Sequence, residues 1–150
     1  MHKEPRSFWS NWLLAAVVGV ELFSIAMLLP GWPAQRFFAW LLLDGQAITD
    51  PVAASYIAIL YAVVGAVMLG WMAALVGVIL VPFRRGEAWA WLTISGSLAI
   101  WYLIDSVLSV VLGYPLNAVS NSGFLFLFIV PLAATFRTFF PAEERRQVRA

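Results

Sequence analysis

Four apolar runs, residues 11–29, 53–81, 88–112 and 117–136, take up most of the 150-residue chain. Each comes close to or exceeds the length of about 20 residues that a helix needs to cross a bilayer. The first three end at helix breakers: "PGWP", "PFRRGE" and "GYP". Open strands are excluded in hydrocarbon, because their edge groups would have no hydrogen-bond partners. Closed barrels use alternating segments of about ten residues, and these runs do not alternate. The sequence therefore predicts an all-α membrane protein. Its fold is a four-transmembrane-helix bundle, one integral domain over residues 1–150, with a cytoplasmic tail at 137–150.

Composition agrees. The chain is 63% hydrophobic and 11% charged, against about 25% charged in soluble domains. A net charge of +1 is too small for a nucleic-acid surface. The absence of cysteine removes disulfides, thiolate metal sites and cysteine nucleophiles. The one histidine, His2, sits on the N-terminal tail, so a serine–histidine–aspartate site or histidine-bound metal or haem is not expected. No metal or cofactor is predicted. Lys3 and Arg6 before an apolar run resemble a signal peptide, but Trp32 stands in "LLPGWPAQ" where a cleavage site needs a small residue. A retained helix is expected.

Orientation follows from the basic residues. Eight of the nine fall on one side: Lys3, Arg6, Arg84, Arg85, Arg137, Arg145, Arg146 and Arg149. Only Arg36 falls on the other. Both termini are thus expected inside. Trp9, Trp12, Trp89 and Trp91 fit an inner aromatic belt, and Trp32, Trp40 and Tyr114 an outer one. In the first outer loop, Phe37, Phe38, Trp40, Leu41 and Leu42 predict a short interfacial helix. It would rest on the membrane as a connector, or cover a pocket as a lid.

The second run carries a ladder of small residues at every fourth position: Ala54, Ala58, Ala62, Ala66, Gly70 and Ala74. Small residues let helices approach closely in lipid. The ladder is expected to pack within the chain, or to form a homodimer or partner-subunit seam.

Two acids lie inside the runs, Glu21 and Asp105. A charge at the bilayer centre costs at least about 2.5–3.5 kcal/mol on insertion scales, and such residues often serve function. At about 1.5 Å per residue, Glu21 lies about 13 Å and Asp105 about 10 Å from the outer ends of their helices. Asn117 and Asn121 enter from the same side as an i, i+4 pair, as do Tyr56 and Tyr61. On the third run Ser97, Trp101, Asp105 and Ser109 recur every four residues. These positions predict an outward-opening polar pocket lined by Glu21, Tyr56, Tyr61, Trp101, Asp105, Asn117 and Asn121, in which Asn121 donates to Asp105. The competing reading is interhelical bonding alone, worth about 0.6 kcal/mol per contact on average. Arg84 and Arg85 in "FRRGEAWAW" read as an anchor to anionic lipid, and Pro131 as a kink.

The stretches "GAVMLGW", "PFRRGEAWAW" and "WYLIDSVLSVVLGYPLNAVSNSGFLFLFIVPLAAT" resemble small, uncharacterised bacterial four-helix membrane proteins. The resemblance covers roughly residues 55–136. It implies a stand-alone bundle of the bacterial inner membrane and carries no activity with it. The expected function is to bind an apolar or amphipathic small molecule in the outer-leaflet-facing pocket. The alternatives are an accessory or scaffold subunit of a larger membrane complex, and an intramembrane acid–base isomerase or cyclase using Glu21 and Asp105.

Overall fold

The computed structural model describes residues 4–29, 33–46 and 48–141, and for 4–6 and 33–35 the backbone alone. His2, Lys3, Trp32, Arg145, Arg146 and Arg149 lie outside the described residues. So do the core of the "PGWP" break and most of the tail.

Five helices follow one another: α1 (Glu4–Leu28), α2 (Pro33–Leu43), α3 (Pro51–Val78), α4 (Ala88–Val111) and α5 (Pro115–Phe139). No strand occurs among the described residues. Four spans, Ser7–Leu28, Pro51–Phe83, Ala88–Val111 and Pro115–Phe139, are long and apolar enough to cross a membrane. They overrun the apolar runs by a few residues at several ends. The reason is that helix-competent polar residues such as Ser7 and Ser10 extend α1, and caps rather than hydropathy fix the other limits.

Those caps are visible locally. Asp50 accepts from the backbone N–H groups of Val52 and Ala53 at 3.4 and 3.0 Å, which starts α3 with Pro51 at its first position. At its far end α3 continues into a π turn, Ile79–Phe83, that contains Pro82. The proline has no N–H, and its ring crowds the preceding turn, so the regular ladder cannot continue there. Gly86 (φ +82°) then closes the helix. Its N–H donates to Phe83 and that of Glu87 to Pro82, both at 3.0 Å. The α4–α5 turn repeats this pair of bonds. Gly113 (φ +88°) donates to Val110 at 3.1 Å, and Tyr114 to Ser109 at 2.7 Å. Both turns need the left-handed backbone that glycine adopts freely.

The four long helices pack as a row folded on itself: α3 along α1, α1 against α5, α5 along α4. On α1 the buried residues Ser10, Leu13, Val17, Val20, Ser24 and Met27 alternate in steps of three and four. On α3 and the π turn that follows it the same steps run through Gly65, Met68, Met72, Leu75, Ile79 and Pro82. This is the spacing of left-handed helix pairs. At Gly65 the backbones come so close that a Cβ would lie 2.8 Å from the Ser24 carbonyl oxygen.

The every-fourth ladder behaves differently. Ala54, Ala58 and Ala62 are half-buried, whereas Ala66, Gly70 and Ala74 are exposed. A row with that step turns about 40° per repeat, so it winds off the α1 seam. Only the neighbouring Gly65 makes the close approach.

α2 lies across α1 and α5. Its Phe38 contacts Phe23 at 6.0 Å and stacks on Tyr61 at 5.6 Å and 24°. Leu41 is buried, while Phe37 and Trp40 are exposed.

Candidate functional site

The polar residues of α4 and α5 meet in the half of the bundle nearer the 112–114 turn. Asn121 donates from Nδ2 to Asp105 Oδ2 at 2.8 Å, as its spacing predicted. Asn117, one turn earlier on the same face, donates to Ser109 Oγ at 2.8 Å and lies 3.4 Å from Asp105 Oδ1. Ser109 donates back to the Asp105 carbonyl oxygen at 2.7 Å. The same Ser109 supplies the carbonyl that closes the turn, so the turn and the polar cluster fix each other.

Asn121 is only 6% exposed and Ser109 7%, while Asp105 is half-buried. The two carboxylate oxygens are treated unequally. Oδ2 has one short bond. Oδ1 has only the two contacts at 3.4 Å, from Asn117 and Ser109, near the limit of useful hydrogen bonding. No described cation pairs with Asp105; the ion pair among the described residues is Arg85–Glu87 at 4.0 Å. The neighbouring Ser106 Oγ is buried without a partner.

α3 and α4 touch at Trp71–Trp101, with ring centroids 6.1 Å apart. Two turns farther on the same faces, Val64 is 47% and Leu108 52% exposed. Asp105 lies on α4 between these two levels, one turn beyond Trp101.

The remaining predicted residues are dispersed. Tyr61 is held by Phe38. Tyr56 is 63% exposed, on the outside of α3. Glu21 is half-buried beside the α1–α3 seam, with buried Val17 and Ser24 on one side and exposed Val18 and Ile25 on the other. It forms no hydrogen bond or ion pair with any described residue, Asp105 included. The structure thus brings Asp105, Asn117 and Asn121 together, sets Trp101 one turn along α4 against Trp71, and leaves Glu21, Tyr56 and Tyr61 elsewhere. Among the described residues no three of His, Cys, Asp or Glu group as metal ligands.

Two indole donors escaped the sequence reading. Trp12 Nε1 donates to the Leu127 carbonyl at 2.9 Å, and Trp91 Nε1 to that of Leu132 at 3.0 Å. For the Leu127 bond a signal exists: Pro131 has no N–H, so the carbonyl four residues earlier needs an outside donor; the Leu132 bond has no such signal.

Two apolar grooves flank α5. One, of about 590 Å³, lies against α1 between Trp12 and Phe23. The other, of about 470 Å³, lies against α4 between Trp91 and Tyr102.

Comparison with protein-family models, curated proteins and solved structures finds no match. The class is therefore defined by the helices themselves: an all-helical bundle of the multi-pass membrane type.

Proposed function

We propose that this chain is a bacterial inner-membrane protein with both termini cytoplasmic, and that it binds a small amphipathic molecule through a cationic or hydrogen-bond-donating end at Asp105. In this reading α2 rests on the outer interface, exposing Phe37 and Trp40 to lipid, and Asp105 faces the outer leaflet. The single observation that carries the proposal is the Asp105 carboxylate itself. It is fixed by Asn121, has one oxygen without a short donor, and has no described cation. Trp101, one turn away, offers an aromatic face to the same cation. Glu21, Tyr56 and Tyr61 line other faces and enter this reading only as surroundings.

The test is binding to protein in mild detergent of a long-chain alkyl-trimethylammonium and of an uncharged ether of equal length. Tight binding of the ammonium alone, lost by about tenfold or more in Asp105→Asn, supports the site; that is the scale of one charge contact of about 1.4 kcal/mol. Equal binding of both probes, or an unaffected Asp105→Asn, refutes it.

A second reading, an accessory subunit, has its own observation. Ala66, Gly70, Ala73, Ala74 and Gly77 are exposed on α3, and a Cβ at Gly70 or Gly77 would meet nothing within 4 Å. A partner helix could approach closely there. Native mass spectrometry from mildly solubilised membranes decides it: a sole monomer counts against a subunit.

A further inference from the structure

The groove between α4 and α5 is open along one side and runs from Trp91 and Phe136 at one end to Tyr102 and Leu125 at the other. Eleven residues of α5 separate its ends, about 16 Å along the axis. One leaflet of a bilayer's hydrocarbon core is about 15 Å thick. The groove therefore has the length of one acyl chain in one leaflet. Its depth comes from two small residues, Ala99 and Ala133, and its lining is almost wholly apolar. The polar groups along it are engaged or shielded: Trp91 Nε1 donates to the Leu132 carbonyl and Tyr102 Oη pairs with Ser122 Oγ, both at 3.0 Å, and Ser95 Oγ is buried.

Three arginines with described side chains, Arg84, Arg85 and Arg137, sit at this end of the bundle, where Phe83 of the π turn meets Phe139 of α5 at 4.7 Å. Arg84 is bonded to Asn11 at 2.8 Å. Arg85 lies 4.0 Å from Glu87. Arg137 is exposed and forms no hydrogen bond or ion pair with any described residue. It follows Phe136 directly and stands one turn beyond Ala133, so it marks the mouth of the groove. Glu87, before the first turn of α4, is engaged by Arg85 and by Trp89 Nε1 at 2.7 Å.

We propose that the α4–α5 groove binds an anionic phospholipid, with one acyl chain between Trp91 and Tyr102 and the phosphate on Arg137. Basic groups beside interhelical grooves recognise anionic headgroups in this way. Because Arg137 and the groove share one leaflet, the proposal holds whichever way the protein sits in the membrane.

The test uses the full chain in detergent with equal amounts of phosphatidylglycerol and phosphatidylcholine of identical acyl chains, and native mass spectrometry reads the lipids retained. The expected result is about fivefold preference for phosphatidylglycerol, reduced towards parity by Arg137→Gln and kept by Arg137→Lys and by Arg85→Gln. Ala99→Phe, which fills a groove position, should lower retention of both lipids without changing their ratio. Gel filtration and circular dichroism verify that each variant is folded. The proposal is overturned by equal retention in the unmodified chain, by an unchanged ratio in Arg137→Gln, by an equal loss in Arg85→Gln, or by undiminished retention in Ala99→Phe.

Discussion

The indole Nε1 of Trp12 donates to the carbonyl oxygen of Leu127 at 2.9 Å, and Leu127 is the residue four before Pro131. In a regular helix that carbonyl accepts from the N–H of residue 131, which proline lacks. Helix α1 therefore supplies the hydrogen bond that α5 cannot make for itself. In hydrocarbon no water would replace it. Thr135 braces the following turn by donating to the Pro131 carbonyl at 2.8 Å.

Trp12→Phe keeps the ring and removes the donor, leaving the carbonyl unpaired. The expected cost is about 1–3 kcal/mol. In a Pro131→Ala background residue 131 has its own N–H, so the same change should cost clearly less. A double-mutant cycle on unfolding in detergent measures the coupling. Additive effects would show that the indole bond does not answer the proline.

Asn121→Ala leaves Asp105 with its 3.4 Å contacts alone. A loss of about 1–2 kcal/mol is expected, at the upper end for interhelical bonds in membranes. Asp105→Asn in the same background should recover part of it, since the neutral amide tolerates poor pairing better. Chemical unfolding of the three variants checks the order.

Gly65→Ala places a Cβ 2.8 Å from the Ser24 carbonyl oxygen, a backbone atom that can move only if α1 and α3 separate. Destabilisation of about 1–3 kcal/mol is expected. Gly70→Ala and Gly77→Ala meet open space and should be neutral or stabilising by up to about 1 kcal/mol through helix propensity. Thermal scans of the three proteins in one detergent test the contrast.

The chain has no cysteine, so orientation can be read with single introduced thiols. Gln46→Cys should react with a membrane-impermeant maleimide in intact spheroplasts. Arg85→Cys should react only after the membrane is opened. The reverse pattern would invert the proposed topology.

The parts of this fold legible in the sequence are those that depend on position along a helix axis. Apolar length located four spans, and Gly and Pro located their ends. The i, i+4 spacing of Asn117 and Asn121 placed both amides beside Asp105. What remained hidden depends on rotation about an axis. Glu21 shares roughly the depth of Asp105 yet sits at the α1–α3 seam, and no periodicity reveals that when lipid-facing and buried positions are equally apolar. The same uniformity hid the three-and-four spacing through Gly65, Met72 and Ile79 behind the more conspicuous alanine ladder. Trp12 and Trp91 read as interfacial belt residues because an indole's partner across the bundle is invisible in a single chain's pattern. The exposed face of α3 likewise follows only from packing.

The most direct test of the central claim is photo-crosslinking with a long-chain quaternary ammonium that carries a diazirine beside its charged end, followed by peptide mapping. The account predicts labels within Ala88–Val111 and Pro115–Phe139, concentrated around Asp105 and Asn121, and lost in Asp105→Asn. Labels of equal strength in Asp105→Asn, or labels confined to α1 and the exposed face of α3, would contradict it.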